Sequence, residues 1–270
     1  AVRLADDRRD DPLISVALGP HSVYALSEGA LREVATVARE SGLPVHLHVG
    51  ELPNENDLSR ERHGVAVVPF LERVGMFATH LIVGHGIWLD DDDRRTLASH
   101  SVGIAHCPTS NLRHASGIAD VVAHRDHGIP VGIGTDGAAS APTLDPFTEM
   151  RLAIGLARVR ALDAEALTIL DVLTMATSEG ARVLGLPDIG SLDPGCHADM
   201  VNIDVDGSAF HPVVDPGDVL THLVWSGTPA DVRHVWVGGT LVVRDREPCA
   251  VDVDRAIVEV DRRARRLAGS

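Results

Sequence analysis

Pro44-Val-His-Leu-His48-Val-Gly-Glu51 is a short β-like run that ends in a histidine and, just beyond it, a carboxylate. Two later runs close in a related way: His80-Leu-Ile-Val-Gly-His85 and Pro130-Val-Gly-Ile-Gly-Thr-Asp136. Metal-ligand residue types at successive strand ends are what a parallel barrel with an ion in its mouth would produce. The surrounding sequence alternates β-like runs with amphipathic helical segments, the pattern of βα units.

Outward from that stretch, a first strand is expected over 13–18, leading to Gly19-Pro-His21. A helix follows, with Ser27 as its N-cap, Leu31, Val34, Val37 and Ala38 at helical spacing, and Gly42 as its stop. After the strand over 45–49 come a polar loop, Pro53-Asn-Glu-Asn-Asp57, and a helix around 65–74. The next strand, over 81–84, precedes a helix that opens on Asp90-Asp-Asp-Asp93, where acids suit the positive end of the helix dipole. Strands over 102–105 and 131–134 follow, then helical stretches over 144–159, 164–176 and 179–184. Beyond Pro187 the texture changes. Segments 198–205 and 232–244 alternate like antiparallel strands, with Gly238-Gly239 placed as a hairpin turn, and a charged helix over 253–267 closes the chain.

The expected class is therefore α/β: a (β/α)8 TIM barrel of which about strands 4–8 are visible, plus a small C-terminal β-sandwich portion. Residues 1–187 would be the last five βα units, and 188–270 the sandwich portion and terminal helix. Five strands leave two open edges, which folded proteins avoid. About three βα units are expected to precede Ala1 in a longer chain, or else another polypeptide completes the barrel.

The chain of 270 residues is 44% hydrophobic, enough for a large core. Its net charge is −15, and all 24 basic residues other than histidine are arginine. That balance argues against nucleic acid, whose phosphates would be repelled, and leaves small neutral or cationic substrates. Three scattered cysteines, Cys107, Cys196 and Cys249, suggest a reducing compartment rather than a disulfide framework. No apolar run approaches the roughly 18 residues of a membrane span. No membrane partner and a cytoplasmic location are expected.

His48 and Glu51 are spaced so that an imidazole can hold a metal while a carboxylate reaches the bound water and substrate. A histidine packed in a barrel beside a solvated glutamate satisfies the same four residues. His85 follows Gly84, and its rank in the strand series, more than its own surroundings, favours a site role. Asp136 ends an apolar strand, where a carboxylate is costly unless paired or metal-bound; Asp-Gly is also a common turn pair. His21 could touch substrate or merely sit in its turn. Asn111 is expected to orient a loop. Nothing in the spacing of His106 and Cys107 separates ligand from packing. His100, His114, His124 and His127 are read as solvated. There is no Gly-x-Ser-x-Gly elbow and no phosphate-binding P-loop.

With these residues in view, the chain resembles the zinc-dependent amidohydrolase superfamily. The likeness is to its deaminase branch acting on S-adenosylhomocysteine, methylthioadenosine and related adenosines. The resemblance rests on Gly19-Pro-His-Ser-Val-Tyr24, His46-Leu-His-Val-Gly-Glu51, His106-Cys-Pro-Thr-Ser-Asn-Leu112, Ala115-Ser-Gly-Ile-Ala119 and Gly134-Thr-Asp-Gly-Ala-Ala-Ser140. Asp145-Pro-Phe-Thr-Glu-Met-Arg-Leu-Ala153 and Gly190-Ser-Leu-Asp-Pro-Gly-Cys-His-Ala-Asp199 extend it.

The resemblance implies His48 and Asp136 as zinc ligands, Glu51 as proton shuttle, His85 as hydrogen-bond partner of the attacking water or substrate, and His21 as a substrate contact. Catalysis would then fall to Glu51, His85 and Asp136, and substrate binding to His21, Glu51 and His85. One divalent metal is implied: Zn2+, with Fe2+ or Mn2+ as alternatives. The small-molecule partner would be an aminated heterocycle, and the assembly a homo-oligomer. The family's first-strand His-x-His pair and its early substrate-gripping arginines are absent here. The implied reaction is hydrolytic deamination by metal-activated water. Two alternatives stand beside it: a triazine-type chlorohydrolase or aminohydrolase, or a guanine or cytosine deaminase, on the same fold; and a catalytically incomplete fragment that only binds or assembles.

Overall fold

A computed structural model describes residues 1–11 and 13–269. Among the described residues, the first part of the chain carries ten α-helices: α1 (Val2–Asp7), α2 (Glu28–Ser41), α3 (Glu55–His63), α4 (Val67–Arg73), α5 (Asp91–Ser99), α6 (Pro108–Arg113), α7 (Val121–Asp126), α8 (Pro146–Ala161), α9 (Ile169–Met175) and α10 (Ser178–Leu184). Among them run four parallel strands, β1 (Val45–Val49), β2 (Leu81–His85), β3 (Gly103–His106) and β4 (Val131–Ile133), hydrogen-bonded in that order. The rest forms an antiparallel sheet of β5 (Met200–Ile203), β6 (Val232–Val237), β7 (Thr240–Arg244) and β8 (Glu247–Pro248), with helices α11 (Pro216–Trp225) and α12 (Val253–Ala268). The architecture is α/β with a parallel sheet. Among the described residues, no helix is long and apolar enough to cross a membrane.

The period of two in β1 sets the two faces of the parallel sheet. Val45, Leu47 and Val49 are fully buried under the helices, while His46 and His48 point to the other, more open face. The register pairs His48 with Gly84 and Val49 with His85, so the strand ends run side by side. Local signals build the helices as expected: Ser27 Oγ accepts from the Ala30 amide and Gly42 caps α2 in the left-handed region. Asp90 and Asp93 form a reciprocal capping box at α5. The helix α10 seats on β3 and β4 because glycines clear its path. A Cβ on Gly103 would lie 3.0 Å from Val183 Cα, and one on Gly132 3.0 Å from Gly180 Cα.

Three expectations need correction. The strand expected over 13–18 is reduced to isolated parallel bridges, Leu18 to Val45 and Ser22 to His48. Leu13 and Ile14 are exposed, so no packed face holds that segment extended. The loop expected at 53–57 instead runs into helix α3, whose buried residues are Glu55 and Ser59. A helix that buries polar groups has no apolar period to read. His124 is not solvated: it is fully buried, with Nε2 2.8 Å from the Gly86 carbonyl and Nδ1 accepting from Arg94 Nε at 3.2 Å. The hairpin turn stands as read, with Gly238 and Gly239 at φ of 54° and 78° between β6 and β7.

Candidate metal centre and active site

His48 stands near the C-terminal end of β1 with Nδ1 2.6 Å from the carbonyl oxygen of His21. That donation fixes its tautomer and leaves the Nε2 lone pair free, the arrangement that a metal-ligating histidine uses. The His21 and His85 rings flank the His48 ring at centroid distances of 4.8 and 5.3 Å. His21 is itself exposed, its Nδ1 2.9 Å from Ser22 Oγ.

His85 ends β2 at φ 69°, in the left-handed region that side chains with a Cβ rarely adopt. Its Nδ1–H donates to Asn111 Oδ1 at 2.8 Å, which turns Nε2 toward Glu51, whose Oε1 is 4.0 Å away. Burial pushes the imidazole pKa down, against opposing pulls from Asn111 and Glu51, so His85 is neutral at pH 7. Glu51 is held at both ends of its residue. Tyr24 donates its hydroxyl to Oε2 at 3.2 Å, and the Glu51 amide donates to Glu55 Oε2 at 2.8 Å.

Asp136 repeats the left-handed geometry, at φ 62°, three residues beyond β4. Strained backbone at two strand ends is the kind of cost that functional sites carry. Its Oδ2 accepts from Ser110 Oγ at 2.7 Å and its Oδ1 from the Gly137 amide at 2.6 Å. Partial burial pushes the carboxyl up, yet these donors and the His85 ring outweigh it and hold the group below the usual carboxylate range.

Between them, Ser110 and Asn111 place two of the four residues through one helix, α6. Glu149 of α8 anchors that helix by accepting from the Thr109 amide at 2.9 Å. Spacing alone could not reveal Tyr24, Glu55 or Glu149. Ser110 and Asn111 belong to the 106–112 motif, in which the sequence points only to Asn111 orienting a loop. His106 and Cys107 are both buried. His106 is buried and pushed down to about 3 by desolvation. The Cys107 thiol is pushed up to about 12, first by burial and then by Asp136.

The donor chemistry suits a divalent ion: an imidazole with its far nitrogen tied to a carbonyl, and a carboxylate held ionised. The number falls short. A catalytic zinc site takes three protein ligands and an open position, and among the described residues no group of three or more His, Cys, Asp or Glu side chains gathers to hold an ion.

The chain is 38% identical over 255 residues to a 5-methylthioadenosine/S-adenosylhomocysteine deaminase of Desulfitobacterium hafniense, covering 94% of this chain and 58% of that protein. It superposes on a crystal structure of an adenosine deaminase from Xanthomonas campestris with bound zinc, at a TM-score of 0.93 and 34% identity, over 99% of this chain and 61% of that one. A zinc complex of atrazine chlorohydrolase from Arthrobacter aurescens TC1 gives 0.82 at 27% identity, over 96% of this chain and 58% of that one. The chain thus spans about three fifths of the length of these relatives, between 58% and 61%. Residues 3–242 match the amidohydrolase family over most of the sequence, and the chain belongs to that family.

Proposed function

We propose that this chain carries the acid–base half of a metal-dependent deaminase that hydrolyses an exocyclic amine from an adenosine-type heterocycle. What supports the reading is the position of His48, Glu51, His85 and Asp136 at or just beyond the ends of neighbouring parallel strands, each held by a specific hydrogen bond. The relatives named for methylthioadenosine, S-adenosylhomocysteine and adenosine support the substrate class. His48 Nε2 and Asp136 would hold zinc, which when bound supplies Lewis acidity toward a water.

The remaining chemistry belongs to the side chains. Tyr24 holds Glu51 Oε2, so Oε1 is the oxygen that faces His85 and takes or delivers the proton. Glu51 would take a proton from the attacking water and place it on a ring nitrogen of the heterocycle, making the adjacent carbon electrophilic; the second proton of that water, accepted by Asp136, would reach the departing ammonia through Glu51. His85, neutral and with Nδ1–H committed to Asn111, offers Nε2 as an acceptor that orients the attacking water or the substrate. His21 would contact the substrate beside His48.

The same reading places residues 1–187 in a (β/α)8 barrel and 188–270 in a sandwich portion with the terminal helix. A cavity of about 1020 Å³, lined by His46, Ala105, Ile133, Met200 and Trp236, supports it, as the space that further barrel strands would fill. A cytoplasmic location fits the three unpaired cysteines, and a homo-oligomer is part of the same proposal. A triazine substrate is the second reading, favoured by the likeness to the atrazine enzyme.

Ammonia release from methylthioadenosine and S-adenosylhomocysteine, and chloride or alkylamine release from a triazine, measured with zinc content and intact mass, test these readings together. Release from the adenosines is expected. No release from any of them by zinc-loaded protein would leave only a binding or assembly role.

A further inference from the structure

Trp88, three residues beyond His85, is 45% exposed, yet its indole N–H is spent inward: Nε1 donates to the Ser116 carbonyl at 2.7 Å. Ser116 in turn donates its amide to the Asn111 carbonyl at 2.9 Å, and Asn111 Oδ1 accepts from His85 Nδ1 at 2.8 Å. Chain and hydrogen bonds together close a ring that runs from His85 to Trp88, Ser116, Asn111 and back to His85. The motif Ala115-Ser-Gly-Ile-Ala119 supplies the far side of that ring.

Local preference does not hold this ring together. Helix α6 has six residues, too few to persist by its own hydrogen bonds. It ends in a Schellman turn, with the Ser116 amide on the Asn111 carbonyl and Ala115, at φ 53°, in the left-handed position that glycine normally fills. Segment 86–88 is the firm side. Gly86 donates to the Val49 carbonyl at 3.1 Å, and the Ile87 and Trp88 amides both donate to the Gly50 carbonyl at 2.9 Å. Those bonds tie the segment to the residues just before Glu51. Gly117, at φ 130°, packs against it: a Cβ there would stand 3.0 Å from Ile87 Cγ2 and 3.1 Å from Trp88 Cζ2.

We propose that Trp88 is a positioning residue for His85: its indole N–H pins the Ser116 turn to segment 86–88, and the pinned turn holds Asn111 where its Oδ1 selects the His85 tautomer. A ring left 45% exposed gains little from burial, and what tryptophan offers there beyond phenylalanine is the donor. For catalysis the inference rests on the deaminase reading, in which His85 Nε2 orients the attacking water or the substrate.

Trp88→Phe removes the donor and keeps a ring against Gly117. The 15N signals of the His85 ring should then change from the Nδ1–H tautomer to a mixture, and kcat/KM should fall about 10-fold. Adding Ala115→Gly, which lets the turn form without left-handed strain, should restore the single tautomer. Unchanged His85 signals in Trp88→Phe would overturn the proposal even with a lower unfolding midpoint, because an indole that only adds stability leaves the tautomer alone. The wild type supplies a second measurement should the variant not fold. One shared opening predicts equal protection of Trp88 Nε1–H and His85 Nδ1–H against hydrogen exchange. An indole proton that exchanges freely beside a protected His85 proton would also overturn the role. A chain whose His85 tautomer depends on Trp88, yet which deaminates nothing, keeps the positioning role and sinks only the deaminase reading.

Discussion

The Nδ1 of His85 lies 2.8 Å from Oδ1 of Asn111, two buried side chains 26 residues apart that meet because β2 and β3 are adjacent in the parallel sheet. That bond selects the His85 tautomer. Asn111→Ala should therefore lower kcat/KM about 10- to 100-fold, the usual loss when a second-layer partner is removed. The 15N signals of His85 should also change from one tautomer to a mixture. Unchanged ring signals in the variant would show that Asn111 does not select the tautomer.

Glu51→Gln should keep whatever zinc the chain binds, because it leaves His48 and Asp136 untouched. Loss of the proton carrier should cut kcat by about 10²- to 10⁴-fold. Paired metal analysis and single-turnover kinetics check this, and turnover near the wild-type rate would remove Glu51 from the mechanism.

His124 should make stability acid-sensitive. Burial first, and the neighbouring Arg94 second, lower its pKa from 6.5 to about 4. Below pH 6.5 the unfolded chain takes up a proton that the folded chain refuses. Its contribution is complete above 6.5 and is lost as pH falls toward 4. The slope from this one group is roughly 1 kcal/mol per pH unit. Burial lowers His106 in the same sense, to about 3, and adds to the slope. Urea unfolding across this window should be visibly flatter for His124→Gln, whose amide can still donate to Gly86 and accept from Arg94. Equal slopes would refute the assignment.

Glu149 tests the anchoring of α6. Its carboxyl is 1% exposed and pushed up by burial, so a neutral amide should serve nearly as well as an acceptor for the Thr109 amide. Glu149→Gln should stay within about 1 kcal/mol of wild type, while Glu149→Ala, which leaves a buried N–H unpaired, should lose about 1–3 kcal/mol. Chemical denaturation distinguishes them, and equal losses would mean that packing, not the hydrogen bond, holds α6.

Much of this protein is legible one residue at a time. Strand β1 falls where alternation of Val45, Leu47 and Val49 with two histidines places it, because burial of one face imposes that period. Ser27, Gly42, Asp90 and the Gly238–Gly239 pair declare their helix ends and turn through local hydrogen bonds and backbone freedom. Misreadings cluster where burial is polar. Helix α3 hides Glu55 and Ser59 rather than leucines, and His124 is buried by two partners that no nearby residue announces.

The sequence by itself determined which residue types stand at the strand ends, since spacing and periodicity are properties of the chain. Tertiary structure alone decided what each of them does there. Ser110 reaches Asp136, Asn111 reaches His85 and Tyr24 reaches Glu51 across separations of 26 or 27 residues. Those meetings depend on the parallel register and on where α6 docks, and a hydrogen bond of under 3.5 Å carries no trace in local pattern.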